Sequence, residues 1–172
     1  MPRHLVLVGL PGAGKTTVGR LAAGLLKAPF ADFDDLIAAR AGKTVARLFA
    51  EDGEPAFRAL EAALGAELLA GVPAVLAPGG GYLVDPGNRH RALAAGYVIY
   101  LETSPRVAAS RVGQGTGRPL LEGADSLTRL EQLLRQRQAA YLEAHERVTT
   151  DGLASGEVAR LVAELARAGA GW

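Results

Sequence analysis

Residues 9–17, GLPGAGKTT, have the composition and spacing of a loop that binds the phosphate groups of a nucleotide. Gly9, Gly14, Lys15 and Thr16 fit the pattern G-x-x-x-x-G-K-[ST]. In this pattern the glycines let backbone N–H groups surround an anion, the lysine reaches the β- and γ-phosphates, and the hydroxyl group binds Mg²⁺. An apolar run precedes the loop and a helical pattern follows it, which favours a phosphate loop over an ordinary glycine-rich turn. The nucleotide contacts predicted here are Gly12, Ala13, Gly14, Lys15, Thr16 and Thr17.

Three carboxylates follow closely in FADFDD, residues 30–35. Acids beside bound phosphate repel it unless a cation lies between them, and Mg²⁺ binds one or two carboxylates together with phosphate oxygens and water. We therefore predict that Asp32 contacts the metal, directly or through water. Alternation along a predicted strand would turn Asp34 toward the same crevice, where it could receive the proton of an acceptor hydroxyl group. Helix capping is the alternative for these acids, and it is the favoured interpretation for Asp35.

Two arginines are candidates for binding an anionic second substrate. Arg58 is flanked by apolar residues, and Glu61 follows three residues later, where it could hold the guanidinium group in place. Phe49 and Phe57 could form the wall of a pocket beside it. Arg137 lies on a long predicted helix, and the planar guanidinium of either residue suits a carboxylate or phosphate. Each taken alone would be interpreted as a solvated surface arginine, so the prediction depends on their occurring with the phosphate loop.

Three consecutive glycines, Gly79, Gly80 and Gly81, stand at the end of the predicted third strand. Ordering three glycines costs conformational entropy, and a turn rarely needs all of them. A backbone that must approach a ligand closely does need them, so this segment is a predicted part of the binding site.

The composition indicates one globular domain with no bulk attraction to nucleic acid or membranes. The chain has 172 residues, 49% hydrophobic and 22% charged, with a formal net charge of +1 and no cysteines. The absence of cysteines excludes disulfides and cysteine metal sites. The apolar run at the N-terminus is too short for a signal peptide, and no run approaches the roughly 20 apolar residues of a membrane span. We therefore expect a cytoplasmic protein.

The elements that must position these residues alternate between strands and helices, without a repeat or a linker. Such alternation predicts a parallel sheet covered by helices on both faces, with ligands bound beyond the carboxyl ends of the strands. Strands are predicted at 4–10, 29–33, 74–80, 97–102 and 147–151. Helices are predicted at 16–27, 36–41, 45–51, 55–69, 87–95, 105–112, 127–146 and 157–167.

Taken together, these segments resemble the shikimate kinase family over nearly the whole chain. The resemblance is carried by GLPGAGKTTVGRLAA, FADFDDLI, LFAEDGEPAFRALE, the three glycines, GRPLL at 117–121 and R-x-x-x-Y at 137–141. It implies ATP-dependent phosphorylation of the 3-hydroxyl group of shikimate, in the route to chorismate and aromatic amino acids. It also implies a three-layer α/β/α P-loop kinase fold, with a five-stranded parallel sheet in the order 2-3-1-4-5 and a mobile lid. We expect one domain over 1–172, with a substrate-binding region at about 32–61 and the lid at about 112–124.

The resemblance also assigns a role to each candidate residue. It implies that Asp34 binds the hydroxyl groups of shikimate, as a base or as an orienting group, and that Asp32 and Thr16 lie at the Mg²⁺ ion. Lys15 and Arg118, the latter in the lid, would act on the transferred phosphoryl group, and Arg111 would stack on adenine. The residues implied to bind shikimate besides Asp34 are Arg58, Arg137, Gly79, Gly80 and Gly81.

Two kinds of alternative remain open. One is another small-molecule kinase of the same fold, such as a gluconate kinase or a nucleoside monophosphate kinase. The other is a non-catalytic nucleotide-binding module, although the guanine-reading motif N-K-x-D is absent. The sequence departs from the family pattern at Pro78, where a threonine is common, and at Ala38, where an acid often stands. The expected partners are shikimate and ATP, with a monomeric protein and no nucleic acid or membrane.

Overall fold

The computed structural model describes residues 1–112 and 125–172, and its centre is a five-stranded sheet. All four strand pairings are parallel, and the strand order is 2-3-1-4-5, which confirms the predicted topology. The strands are β1 (His4–Val8), β2 (Phe30–Asp32), β3 (Val75–Ala77), β4 (Gly96–Glu102) and β5 (Glu146–Thr149).

Helices connect the strands, as the right-handed crossovers of a parallel sheet require. They are α1 (Lys15–Leu26), α2 (Phe33–Ala41), α3 (Val45–Asp52), α4 (Glu54–Leu69), α5 (Pro86–Ala95), α6 (Pro105–Val112), α7 (Ser126–Tyr141) and α8 (Ser155–Gly169). A 3₁₀ turn, Tyr82–Val84, follows the three glycines and was not predicted.

Alternation along the buried strand β1 divides the core into two layers. Leu5 and Leu7 pack with α1 and α8 on one face of the sheet, while Val6 and Val8 pack with α2 to α7 on the other. All four side chains are at most 2% exposed. The three-layer α/β/α architecture follows directly from this period-2 pattern, because neither face of the sheet is left to solvent.

Local signals explain several helix starts. The Thr44 hydroxyl accepts from the N–H of Arg47 at 3.2 Å, and the Ser104 hydroxyl accepts from the N–H of Val107 at 3.3 Å. Both are predicted N-caps, and each satisfies an N–H group that the first helical turn leaves without a partner.

The helix predicted at 127–146 ends earlier, at Tyr141. The chain has to leave the helix there because His145 is already joined to β4. The His145 N–H donates to Val98 O at 2.9 Å, and the Val98 N–H donates to His145 Nδ1 at 3.0 Å. Pairing of β5 with β4 therefore overrides the helical pattern of the sequence.

The expectation that Asp32 and Asp34 alternate along one strand was wrong. The edge strand β2 ends at Asp32, and helix α2 begins at the next residue, so Asp34 lies in the first helical turn. Asp32 is the N-cap, since its carboxylate accepts from the N–H of Asp35 at 3.2 Å. Capping by Asp35 was therefore also a wrong prediction. Asp35 instead forms an exposed ion pair with Arg20 at 3.2 Å.

Among the helices in the described ranges, none is both long enough and apolar enough to cross a membrane.

Candidate active site

The phosphate loop connects β1 to α1 in a conformation that needs glycine. Gly12 and Gly14 have φ values of 84° and 94°, which side-chain-bearing residues rarely adopt. A Cβ atom at Gly12 would also lie 2.5 Å from the carbonyl oxygen of Ala108 in α6. The loop is therefore held tightly against α6, with the N-terminus of α1 opening toward the cleft, where its dipole favours an anion.

Lys15 folds back across this loop. Its Nζ donates to Gly9 O at 2.8 Å and to Leu10 O at 2.9 Å. These contacts hold the ammonium group over the loop and within the cleft lining. A positive charge in this position can act on a phosphate group bound by the loop.

Thr16, in the first turn of α1, contacts Asp32 at the carboxyl end of β2. The Thr16 hydroxyl donates to Asp32 Oδ2 at 2.5 Å. One hydroxyl and one carboxylate oxygen are hard oxygen ligands, and Mg²⁺ completes such a pair with phosphate oxygens and water. Within the described ranges no three His, Cys, Asp or Glu side chains gather to hold a metal. The donor set therefore fits a cation that arrives with the nucleotide phosphates.

On the acceptor side, Arg58 is fixed by two carboxylates. Its guanidinium donates to Glu61 Oε2 at 2.9 Å and to Glu54 Oε1 at 3.3 Å. Glu61 is fully buried, and its other oxygen accepts from the N–H of Gly79 at 3.1 Å. Burial raises the pKa of Glu61, the nearby Arg58 charge lowers it, and the Asp34 carboxylate raises it further. The predicted partnership of Arg58 and Glu61 is thus present, and it extends to the glycine segment.

The glycine segment is required by side chains of the protein itself. A Cβ atom at Gly79 would collide with Glu61 Oε1, one at Gly80 would lie 2.8 Å from Arg137 Nη1, and one at Gly81 would lie 2.7 Å from Arg58 Nη2. From the sequence, close approach of the backbone to a ligand was the only predicted reason for three consecutive glycines. The structure adds another reason, because the backbone must pass directly beside both arginines and Glu61.

Arg137 is 6% exposed and approaches this segment from α7. Tyr141, one turn later, donates from its hydroxyl to Gly80 O at 2.5 Å. Burial raises the pKa of this hydroxyl to about 12, although the nearby positive charge of Arg137 opposes the increase. Tyr141 belongs to the R-x-x-x-Y motif at 137–141 but was not among the predicted site residues. The i, i+4 spacing from Arg137 is the signal that could have placed both side chains on one helix face.

Asp34 lies close to the glycine segment, where its Oδ1 is 3.9 Å from the position of a Cβ atom at Gly79. Phe49 and Phe57 are 4.9 Å apart between ring centroids, and both line the same cleft. The aromatic wall and the carboxylate therefore face the space beside Arg58, as the sequence predicted.

One cleft of about 610 Å³ contains all the predicted site residues that the structure describes. Its phosphate half is lined by residues 11–18, Asp32 and Arg111, and its acceptor half by Asp34, Arg58, Gly79, Gly80, Gly81 and Arg137. Arg118 and residues 113–124 of the predicted lid lie outside the described residues.

Arg111 joins the phosphate loop to the end of β5. Its guanidinium donates to Thr150 Oγ1 at 3.3 Å, to Thr150 O at 3.5 Å and to Gly12 O at 3.5 Å. None of the nucleotide contacts predicted from the sequence lies after residue 150. The structure adds Thr150, Leu153, Ser155 and Val158 to the wall of the cleft.

Comparison with known proteins gives consistent results. The family model described as shikimate kinase matches residues 11–167. A shikimate kinase from Thermobifida fusca is 49% identical over 166 residues, covering 95% of each chain. One from Symbiobacterium thermophilum is 46% identical over 151 residues, covering 86% of this chain and 87% of that protein. Among solved structures, shikimate kinase from Acinetobacter baumannii in complex with shikimate is similar with a TM-score of 0.94. It is 35% identical and is matched over 98% of this chain and 94% of that one.

Proposed function

This chain belongs to the shikimate kinase family, and we propose on that basis that it transfers the γ-phosphoryl group of ATP to the 3-hydroxyl group of shikimate. The products are shikimate 3-phosphate and ADP, in the route to chorismate and aromatic amino acids. The observation that carries the proposal is the cleft, which joins a phosphate loop to two arginines beside a carboxylate. The similar structure that contains shikimate supports the choice of acceptor.

In this proposal the nucleotide binds to the phosphate half of the cleft. The N–H groups of residues 12–17 surround its phosphates, and Lys15 contributes a positive charge at the transferred group. Arg111 lies beside Gly12 and Thr150, where it can pack against the adenine ring. Arg118 is proposed to close on the phosphates, a role that stays a prediction from the sequence.

Thr16 and Asp32 are the residues that would hold Mg²⁺. When bound, the ion supplies neutralisation of the phosphate charge. Asp32 also serves the fold as the N-cap of α2, so the same side chain links the metal site to the helix that carries Asp34.

The acceptor binds through its carboxylate to Arg58 and Arg137. The backbone of residues 79–81 lies between these arginines and borders the substrate ring. Asp34 accepts a hydrogen bond from the acceptor hydroxyl group and orients it toward the γ-phosphorus. As the new O–P bond forms and the bond to ADP breaks, the hydroxyl proton passes to the Asp34 carboxylate or to solvent.

A nucleoside monophosphate acceptor fits this half of the cleft less well. A phosphate carries more negative charge than a carboxylate, and Asp34 and the buried Glu61 both lie near the arginines that would bind it. A cytoplasmic location and a monomeric state are further parts of the proposal and stay predictions from the sequence.

The test is an ADP-release assay with purified protein, ATP and Mg²⁺ against shikimate, quinate, gluconate and nucleoside monophosphates. We expect shikimate to be the preferred acceptor, with phosphorus NMR of the product locating the phosphate on the 3-hydroxyl group. Preference for any other acceptor, or ATP hydrolysis unaffected by every acceptor, would contradict the proposal.

A further inference from the structure

Tyr141 joins two parts of the proposed acceptor site that come from different elements. Its hydroxyl donates to the carbonyl oxygen of Gly80, which follows β3. Gly80 in turn passes directly beside Arg137 on α7, whose Nη1 would lie 2.8 Å from a Cβ atom at Gly80. Tyr141 therefore binds the backbone proposed to border the acceptor ring at the residue next to an arginine proposed to bind the acceptor carboxylate.

The surroundings of Tyr141 leave its hydroxyl group little freedom. The residue is 0% exposed, and its ring packs against Tyr100 with centroids 5.0 Å apart. Burial raises the pKa of the hydroxyl to about 12, so it remains protonated and able to donate at neutral pH. A buried, fixed donor of this kind can define the position of the carbonyl group that it binds.

Gly80 lies between the phosphate loop and α7. The position of a Cβ atom at Gly80 would be 3.2 Å from Gly9 O, 3.2 Å from Pro11 Cδ and 2.8 Å from Arg137 Nη1. Movement of this residue would change the separation between the acceptor and the phosphate donor. Small errors in that separation are costly in a transfer that depends on positioning.

We propose that Tyr141 is a positioning residue for the acceptor, which fixes Arg137 and Gly80 relative to each other and to the phosphate loop. This inference rests on the proposed function, because it assumes that the acceptor binds at Arg137 and the glycine segment. It assigns no contact between Tyr141 and the substrate.

The first test compares Tyr141→Phe with Tyr82→Phe. Tyr82 is a matched control because it is 1% exposed, follows the same glycine segment and has a hydroxyl without a hydrogen-bond partner within residues 1–112 and 125–172. We expect Tyr141→Phe to raise the KM for the acceptor roughly tenfold or more, because it removes the hydrogen bond that holds Gly80 O beside Arg137. The KM for ATP should stay within about twofold of wild type, since the phosphate loop is unchanged. Tyr82→Phe should leave both constants unchanged.

A second measurement uses the wild-type protein, so it does not depend on the variant folding. The chain contains four tyrosines, which can be labelled with ¹³C at the ring carbon bonded to oxygen. We expect the Tyr141 signal to shift when the acceptor is added and the Tyr97 signal to stay constant, because Tyr97 lies on the opposite face of the sheet. If the chemical shift of the Tyr141 signal does not change when the acceptor is added, the proposal is wrong.

The outcomes separate this proposal from the proposed function. If wild type phosphorylates shikimate and Tyr141→Phe behaves like Tyr82→Phe, only the positioning role is wrong. If wild type prefers another acceptor of the panel, the same comparison made with that acceptor decides the role of Tyr141. If wild type uses none of the acceptors, both proposals fail.

Discussion

The guanidinium of Arg58 and the carboxylate of Glu61 form an ion pair at 2.9 Å in which one partner is fully buried and the other is partly open to the cleft. The second oxygen of Glu61 accepts from the N–H of Gly79 at 3.1 Å. One buried carboxylate thus connects the acceptor arginine on α4 to the glycine segment after β3. Burial outweighs this attraction in its effect on the pKa of Glu61, which is raised. The ionised Glu61 carboxylate therefore holds Arg58 and Gly79 in place, but ionising it in the buried site lowers the free energy of unfolding.

The first prediction concerns Glu61→Gln. A group whose pKa is raised on folding stabilises the protein most below its unfolded pKa, and that contribution is lost as the pH rises through the folded pKa. Wild type should therefore lose unfolding free energy relative to Glu61→Gln as the pH increases above the ordinary range of a glutamate. The variant should also raise the acceptor KM roughly tenfold, because an amide has only one accepting oxygen and cannot accept from both Arg58 and the Gly79 N–H. Urea denaturation from pH 4 to 8 and steady-state kinetics measure the two effects.

The control for this prediction is Glu67→Gln. Glu67 pairs with Arg40 at 2.8 Å on the surface, and a hydrogen bond from Arg40 lowers its pKa. The stability that such a group adds is present above its unfolded pKa and is lost as the pH falls through the folded value. The pH dependence of the two variants should thus have opposite signs, and the surface change should leave the acceptor KM unaltered. Equal signs would contradict our account of Glu61.

The second prediction concerns Gly81→Ala. The added methyl group would lie 2.7 Å from Arg58 Nη2, so the flexible end of the arginine has to move. We expect a folded protein with a higher acceptor KM and an unchanged ATP KM. Gly24→Ala in α1 is the matched control, because among the described residues no atom outside its own stretch of helix lies within 4 Å of the added methyl group. That change should raise the unfolding free energy by about 0.5–1 kcal/mol, since alanine is the better helix former. An unchanged acceptor KM in Gly81→Ala would show that Arg58 does not bind the acceptor from this position.

The third prediction compares Asp34→Asn with Asp35→Asn. Both residues lie in the first turn of α2 and border the cleft. Asp34 lies beside the glycine segment, whereas the Asp35 side chain is exposed and paired with Arg20. Asp34→Asn should lower kcat by at least about 100-fold, the scale of a lost acid–base or orienting group, while ATP still binds. Asp35→Asn should keep nearly full activity. Calorimetric titration with ATP and steady-state kinetics provide the two readouts, and retention of most of kcat in Asp34→Asn would remove that residue from the reaction.

The sequence predicted the sheet order through the family resemblance, and it predicted the phosphate loop because that signal is local. Nine consecutive residues determine the loop, and apolar runs determine the strands. The prediction failed at the ends of elements. Asp32 ends β2 and caps α2 at once, so the helix starts earlier than its apolar pattern indicates. Helix α7 stops at Tyr141 so that the next residues can join β4. The hydrogen bond between Tyr141 and Gly80 joins residues that are 61 positions apart in the chain, and no sequence pattern predicts a contact over that separation.

The fourth prediction uses one substitution in each half of the cleft, and each serves as the control for the other. Lys15→Ala removes the charge held over the phosphate loop by Gly9 O and Leu10 O, and it should lower kcat/KM for ATP roughly 100-fold. Binding of shikimate without nucleotide should be unaffected. Arg58→Ala should raise the acceptor KM roughly 30-fold or more, the scale of a lost charge-assisted contact, and should leave ATP binding unchanged. Equilibrium titrations with each ligand alone separate these effects. If either substitution weakened both ligands equally, the division of the cleft into a phosphate half and an acceptor half would be wrong.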